Sequence, residues 1–344
     1  MSSCSRVALV TGADKGIGFA ITRELCRRFS GDVVLTARDE ARGRAAVQLL
    51  QAEGLSPRFH QLDIDDLQSI RAVRDFLRRE YGGLNVLVNN AGIAFKVDDP
   101  TPFDIQAEMT LKTNFFSTRN VCTELLPIVK PHGRAVPERE GGAGSRGGLR
   151  LSPRGTGPER VSRERRAPRM CAAQRQRHSE KEENPGSPLD TAHSAFRITR
   201  RVVNISSLQG SKALEDCSES LRERLQCDAL TEGDLVDLMK KFVEDAKNEM
   251  HRREGWPDSA YGVSKLGLTV LSRIMARRLD EQRGADRILL NACCPRWVRT
   301  DVAGDEGSRA SEQGAETPVY LALLPPDATE PHGQLICDKV VQHW

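Results

Sequence analysis

The chain has 344 residues, 38% of them hydrophobic, with 51 Lys and Arg against 48 Asp and Glu for a formal net charge of +3. The length allows one large domain or two ordinary ones, and no apolar run approaches the roughly 20 residues of a membrane span. Nine cysteines with neither Cys-x-x-Cys nor His-Glu-x-x-His, behind an N-terminus with no apolar signal region, argue against a disulfide framework, a metal site and secretion, and for reduced cytoplasmic thiols.

Val7–Val10 reads as a buried strand ending at a glycine loop. Residues 16–29 follow as a helix with Ile17, Ala20, Ile21, Leu25 and Cys26 on one face. Residues 32–37 and 58–62 are the next strands, with Asp63 just past the latter, and 39–53 and 66–81 the next helices. Residues 84–89 form a fourth strand, and 104–129 carry a long helical pattern. A fifth strand at 201–206, a helix at 259–283 and a sixth strand at 288–293 resume the rhythm. The strands are short apolar runs rather than alternating ones, which points to a parallel sheet buried on both faces. Repeated β-α units imply an α/β doubly wound parallel sheet, the Rossmann fold, as a single domain over 1–344.

Residues 135–200 break the rhythm. They hold 14 Lys and Arg against 8 Asp and Glu, whereas the rest of the chain holds 37 against 40. Rich in Arg, Gly, Glu, Pro and Ser, the segment is expected to be a disordered insertion, because it buries too little apolar area to offset ordering entropy. Its Arg163–Arg166 and Arg175–Arg177 clusters suit a nuclear signal or a nucleic-acid contact, although solvated charge with no nucleic-acid partner is the favoured reading. The segment falls at the N-terminal edge of the sheet, away from the ligand edge. A loop of that length costs about 3 kcal/mol in closure entropy, which the fold can survive.

The glycines Gly12, Gly16 and Gly18 follow a strand and open a helix. There a backbone can approach a pyrophosphate and a helix N-terminus favours its charge; a plain glycine-rich turn is the alternative. Arg38 at the end of the second strand and Lys15 in the loop suit a ribose 2′-phosphate and favour NADPH, while the adjacent Asp39 leaves NAD open. Asp63 suits either an adenine contact or a helix N-cap. Tyr261 and Lys265 lie one helical turn apart. An ammonium beside a phenol is expected to lower the tyrosine pKa toward working pH and make a general acid and base.

Thr11-Gly12-Ala13-Asp14-Lys15-Gly16-Ile17-Gly18, Asn89-Asn90-Ala91-Gly92, Asn114, Ser206-Ser207 and Tyr261-Gly262-Val263-Ser264-Lys265 together resemble the short-chain dehydrogenase/reductase family. Residues 1–134 joined to 202–344 are similar to its NADPH-dependent cytosolic carbonyl reductases. Leu235–Asp245 and Glu316–Pro326 carry that closer likeness; Trp297 resembles one branch and residues 214–245 another. The resemblance implies a small-molecule carbonyl substrate (an aldehyde, ketone or quinone) with Tyr261 giving the proton. Lys265 tunes Tyr261 and binds the nicotinamide ribose, Ser207 hydrogen-bonds the substrate oxygen, and Asn114 holds a water that passes protons toward Lys265. Asn90 and Ile17 lie along the cofactor, Thr300 caps it, and Trp297 and Cys294 either wall the pocket or belong to the core. Residues 213–257 cover, in similar reductases, the surface through which relatives tetramerise, which implies a monomer; a substrate lid is the other reading.

Three departures stand against full activity. The 135–200 segment interrupts a region contiguous in the family, as a retained intron or faulty gene prediction would. Arg296 replaces the family's glycine after Pro295, with strain or a cofactor clash expected. Asp14 replaces the usual Asn and is expected to repel the cofactor phosphates and to neutralise Lys15. The alternative function is therefore a catalytically impaired paralogue or mis-spliced product that acts only as a binding protein.

Overall fold

The computed structural model describes residues 6–96, 98–131, 199–296 and 310–343. Eight strands form one sheet in the order β3-β2-β1-β4-β5-β6-β7-β8. They are β1 Val7–Val10, β2 Asp32–Ala37, β3 Arg58–Gln61, β4 Val86–Asn89, β5 Arg201–Ile205, β6 Leu289–Cys294, β7 Leu335–Cys337 and β8 Val340–Gln342. All neighbours are parallel except β7 and β8. Successive side chains in a strand point to opposite faces, and here both faces are apolar. Val7, Leu9, Leu87, Val202 and Leu290 join one core; Ala8, Val10, Val86, Val88 and Val203 join the other. This is why the strands read as unbroken apolar runs.

The helices are α1 Gly16–Arg28, α2 Glu40–Ala52, α3 Leu67–Tyr81, α4 Phe103–Thr110, α5 Thr118–Leu125, α6 Leu208–Glu215, α7 Glu219–Gln226, α8 Glu232–Lys247, α9 Ala260–Arg283 and α10 Ser311–Ala322. The pattern over 104–129 is not one α-helix. A π-helical stretch, Leu111–Ser117, separates α4 from α5, and a short 3-10 turn follows at Leu126–Ile128. Both keep the helical hydrophobic spacing, so periodicity alone does not separate them from α-helix. The three-residue strands β7 and β8 and the Pro318-containing α10 add to the elements legible in the sequence; they are too short or too irregular to give a period.

The expectation of disorder over 135–200 lies outside the described residues except at its end. There Arg200 is buried, and its guanidinium donates to the carbonyls of Lys130 and Pro131, each at 2.6 Å. The chain therefore re-enters the fold beside the point where it leaves. Among residues 213–257, Leu235, Leu238, Met239, Phe242 and Trp256 are core residues. Trp256 Nε1 donates to the buried Asp245 at 3.1 Å, and Lys241 pairs with Asp245 and Glu254 at 2.9 Å. The segment is built into the domain. Among the described residues no helix is long and apolar enough to cross a membrane.

Candidate active site

Among the described residues, Gly12, Arg38, Asp63, Asn90 and Ser207 follow the carboxyl ends of β1, β2, β3, β4 and β5, while Asn114, Tyr261 and Lys265 lie on helical segments. Gly12 and Gly16 have φ of +60° and +56°, a left-handed backbone in which glycine carries no Cβ penalty. A Cβ on Gly18 would stand 2.4 Å from both the Gly12 carbonyl oxygen and Asn90 Nδ2. The loop is thus clamped: Asn90 Nδ2 donates to the carbonyls of Thr11 and Gly12 at 3.1 and 2.9 Å. Thr11 Oγ1, to which the motif gave no role, accepts the backbone N–H groups of Asn90 and Ala91, each at 3.0 Å.

The start of α1 differs from those of six other helices. Asp39, Asp66, Ser207, Ser218, Thr231 and Ser259 each cap their helix through a side chain, whereas Lys15 makes no such cap and the first turn of α1 holds no acid. Uncapped N–H groups at a positive helix end beside a backbone-lined cradle fit a pyrophosphate. Arg38 is exposed at the end of β2 and makes no side-chain ion pair among the described residues, as a 2′-phosphate ligand requires. Asp14 pairs with Arg42 of α2 at 3.5 Å. Asp63 is not a helix N-cap, since Asp66 takes that place; its Oδ1 instead accepts Asp65 N–H at 3.0 Å.

Asn114 is buried in the π-helical turn. Its Oδ1 accepts Ile93 N–H at 2.8 Å, and its Nδ2 donates to Ile93 O at 2.9 Å and to Ser264 Oγ at 3.0 Å. Both amide hydrogens are therefore used in framework bonds. Ser264 passes the link on by donating to Tyr261 O at 2.8 Å. It sits inside the Tyr-Gly-Val-Ser-Lys motif, three residues from Tyr261, and that spacing was its available signal. A Cβ on Gly92 would lie 3.0 Å from Asn114 Oδ1 and 3.6 Å from Lys265 Nζ, so both groups converge on the loop after β4.

Ser207 caps α6, its Oγ accepting Gln209 N–H at 3.2 Å, and it also hydrogen-bonds the Tyr261 side chain. Lys265 Nζ stands 5.6 Å from the Tyr261 ring centroid and donates to Ile205 O at 2.8 Å. The expected fall in the tyrosine pKa is not found. Burial pushes the Tyr261 phenol up to about 12, with the Ser207 bond opposing, and burial pushes Lys265 down to about 8, with the neighbouring Cys294 and Cys293 opposing. Desolvation penalises the charged form of each group and is the largest cause of both shifts. At neutral pH the pair is a protonated phenol beside an ammonium.

Arg296 adopts φ +68°, the strained left-handed backbone expected where glycine is replaced, and its Nε is held by Asp338 Oδ2 at 2.9 Å. Trp297 and Thr300 lie outside the described residues. Among the described residues no group of three or more His, Cys, Asp or Glu is arranged to hold a metal.

Residues 6–137 match the short chain dehydrogenase family. The chain is 68% identical over 344 residues to carbonyl reductase [NADPH] 3 of Rattus norvegicus and 64% identical to that of Homo sapiens, with all of both chains covered. It is 56% identical over the same length to carbonyl reductase [NADPH] 1 of Homo sapiens. Among solved structures it is similar to salutaridine reductase from Papaver somniferum, with a TM-score of 0.69, 26% identity, and 97% of this chain and 99% of that one covered.

Proposed function

This chain belongs to the short-chain dehydrogenase/reductase family, and on that premise we propose that it is an NADPH-dependent carbonyl reductase acting on aldehydes, ketones and quinones. The observation that carries the reading is the convergence of Ser207, Tyr261 and Lys265 beside a clamped glycine loop whose helix is left uncapped.

Gly12, Lys15, Gly16, Ile17, Gly18 and Asn90 would hold the cofactor's pyrophosphate side, Arg38 its 2′-phosphate and Asp63 its adenine. Lys265 and Tyr261 would hold the nicotinamide ribose, and Thr300 would close the site. NADPH, when bound, supplies the hydride that adds to the carbonyl carbon. Tyr261 Oη gives its proton to the carbonyl oxygen as negative charge builds there, and Ser207 Oγ donates a second hydrogen bond to that oxygen. A phenol that is protonated at neutral pH suits this direction, because reduction consumes a proton at each turnover. Lys265 keeps a cation behind the phenolate left on Tyr261. Asn114 acts by position, tying the Ile93 backbone through Ser264 to the first turn of α9. Trp297 would wall the substrate pocket.

The free thiols of the seven described cysteines support a reducing, cytoplasmic location. We read 1–344 as one domain in which 135–200 is an insertion and 213–257 a helical addition. Packing of α8 against α4 and α9 supports a monomer. The experiment is NADPH oxidation with menadione, comparing the full chain with one lacking 135–201 but retaining Arg134, which then joins β5 in the place of Arg201. Turnover by both establishes the reductase and a tolerated insertion. Turnover by the deletion alone keeps the chemistry and makes this chain a defective product. Turnover by neither overturns the reading.

A further inference from the structure

Cys294 ends β6, and Cys337 ends β7 directly beside it in register. Register partners on neighbouring parallel strands point to the same face, with backbones about 4.8 Å apart. That separation lies within the roughly 4.4–6.8 Å Cα span of disulfides. Each thiol shifts the proton affinity of the other. Cys293, the preceding residue, points to the opposite face and packs among Val203, Ile205 and Ile336. The sheet therefore sets Cys294 against Cys337 and turns the adjacent cysteine away.

Cys294 is also placed as a nucleophile. Its Sγ accepts the backbone N–H of Arg296 at 3.3 Å and that of Leu208, the first residue of α6. The Arg296 guanidinium reaches back to Asp338, the residue after Cys337, and so ties the two strand ends together. Donors from a helix N-terminus, a neighbouring thiol and a nearby guanidinium all favour thiolate. Accordingly the Cys294 thiol is drawn down, first by Cys337 and against burial, while Cys337 is pushed up as the proton-holding partner.

We propose that Cys294 and Cys337 are a redox pair that closes to a disulfide across β6 and β7 and reversibly shuts the neighbouring catalytic site. The oxidant is a hydroperoxide. The Cys294 sulfur attacks the terminal peroxide oxygen, the O–O bond breaks, an alcohol leaves and a sulfenic acid forms. The Cys337 sulfur then attacks the Cys294 sulfur, the S–O bond breaks and water leaves with the Cys337 proton. In sum, two thiols lose two electrons and two protons, and one hydroperoxide becomes an alcohol and water. Closure removes the Cys294 acceptor from the Leu208 N–H, directly after Ser207, and removes a negative charge that Lys265 and Tyr261 feel.

The effect on turnover rests on the reductase reading, but the disulfide does not, so the test reads them apart. The full chain is treated with hydrogen peroxide, alkylated and peptide-mapped by mass spectrometry, with NADPH-dependent menadione reduction followed in parallel. The expected result is a Cys294–Cys337 crosslinked peptide lighter by two hydrogens, lost on treatment with dithiothreitol. Activity should fall as the crosslink forms and return on reduction, and Cys337→Ser should keep its activity through the same treatment. A map showing Cys294 joined to Cys293, or Cys294 oxidised with Cys337 still alkylated, overturns the pairing. So does loss of activity in Cys337→Ser at the unmutated rate. If that variant does not fold, the map of the unmutated chain decides alone. A crosslink in a chain with no reductase activity keeps the redox pair and sinks the function assigned to its neighbours.

Discussion

At the amino edge of the sheet two guanidiniums, Arg200 and Arg201, are almost completely buried; at the carboxyl edge one ammonium, Lys265, is buried as deeply. The amino edge spends its cations on carbonyls. Arg200 donates to Lys130 and Pro131, and Arg201 to Arg200 at 2.8 Å and to Leu324 at 3.1 Å. The Arg200 bonds sew together the two places where the chain leaves and re-enters the fold. Lys265 gives one bond to Ile205 and turns toward Tyr261 and the loop at Gly92. Burial lowers the pKa of all three cations, to about 10 for Arg201 and about 8 for Lys265. Only the lysine comes within reach of physiological pH. The same desolvation makes a structural clasp at one edge and a titratable group at the other, because a guanidinium starts so much higher than an ammonium.

The largest effect should come from Tyr261→Phe. It removes the proton donor at the carboxyl edge and should lower the rate of NADPH-dependent menadione reduction by about 10²–10⁴, while urea melts stay close to those of the parent. A stability loss as large as the rate loss would erase the contrast between the edges. Arg200→Met should do the reverse. It leaves the Lys130 and Pro131 carbonyls without their charged donor and should cost about 2–3 kcal/mol in a urea melt, with kcat per folded molecule unchanged.

A smaller effect, in pH, sharpens the point. The folded-state pKa of Lys265, about 8, lies below the unfolded value of about 10.4. Between these values the unfolded chain holds more protons, so this group makes stability rise with pH from about 8 to about 10. The rise should be on the order of 2 kcal/mol between pH 7.5 and 9.5 and should vanish in urea melts of Lys265→Met. Tyr261 acts oppositely above about pH 10, since the unfolded phenol ionises first. Turnover should fall above about pH 8 as the ammonium is lost, and Lys265→Arg should delay that fall. The smallest change should be Asp14→Asn. Arg42 already sits beside the carboxylate, so NADPH Kd measured by fluorescence should fall only about threefold. An unchanged Kd would mean Asp14 does not repel the phosphates.

The sequence carried the α/β class, the first six strands and the neighbourhood of Tyr261 and Lys265, because each rests on local signals. Apolar runs mark buried strands, glycines mark the loop, and a four-residue spacing pairs Tyr261 with Lys265. It did not carry the π-turn under Asn114, since π and α segments share their hydrophobic spacing. Nor did it carry Ser264 as the link between Asn114 and Tyr261, which depends on α9 lying against that turn. The sign of the tyrosine shift was also out of reach. Spacing reports that two groups are neighbours, whereas burial decides which charge state both can hold.

By itself, then, the sequence determined the order of the first six strands, the glycine loop after β1 and the Tyr261–Lys265 spacing, all encoded in residues close along the chain. Tertiary structure alone decided that Cys294 faces Cys337 rather than Cys293, that Arg200 closes the seam at Lys130, and that burial raises the Tyr261 pKa and lowers that of Lys265. Each of these depends on which strands and helices lie side by side, and contacts between residues tens to hundreds of positions apart leave no period in a single sequence.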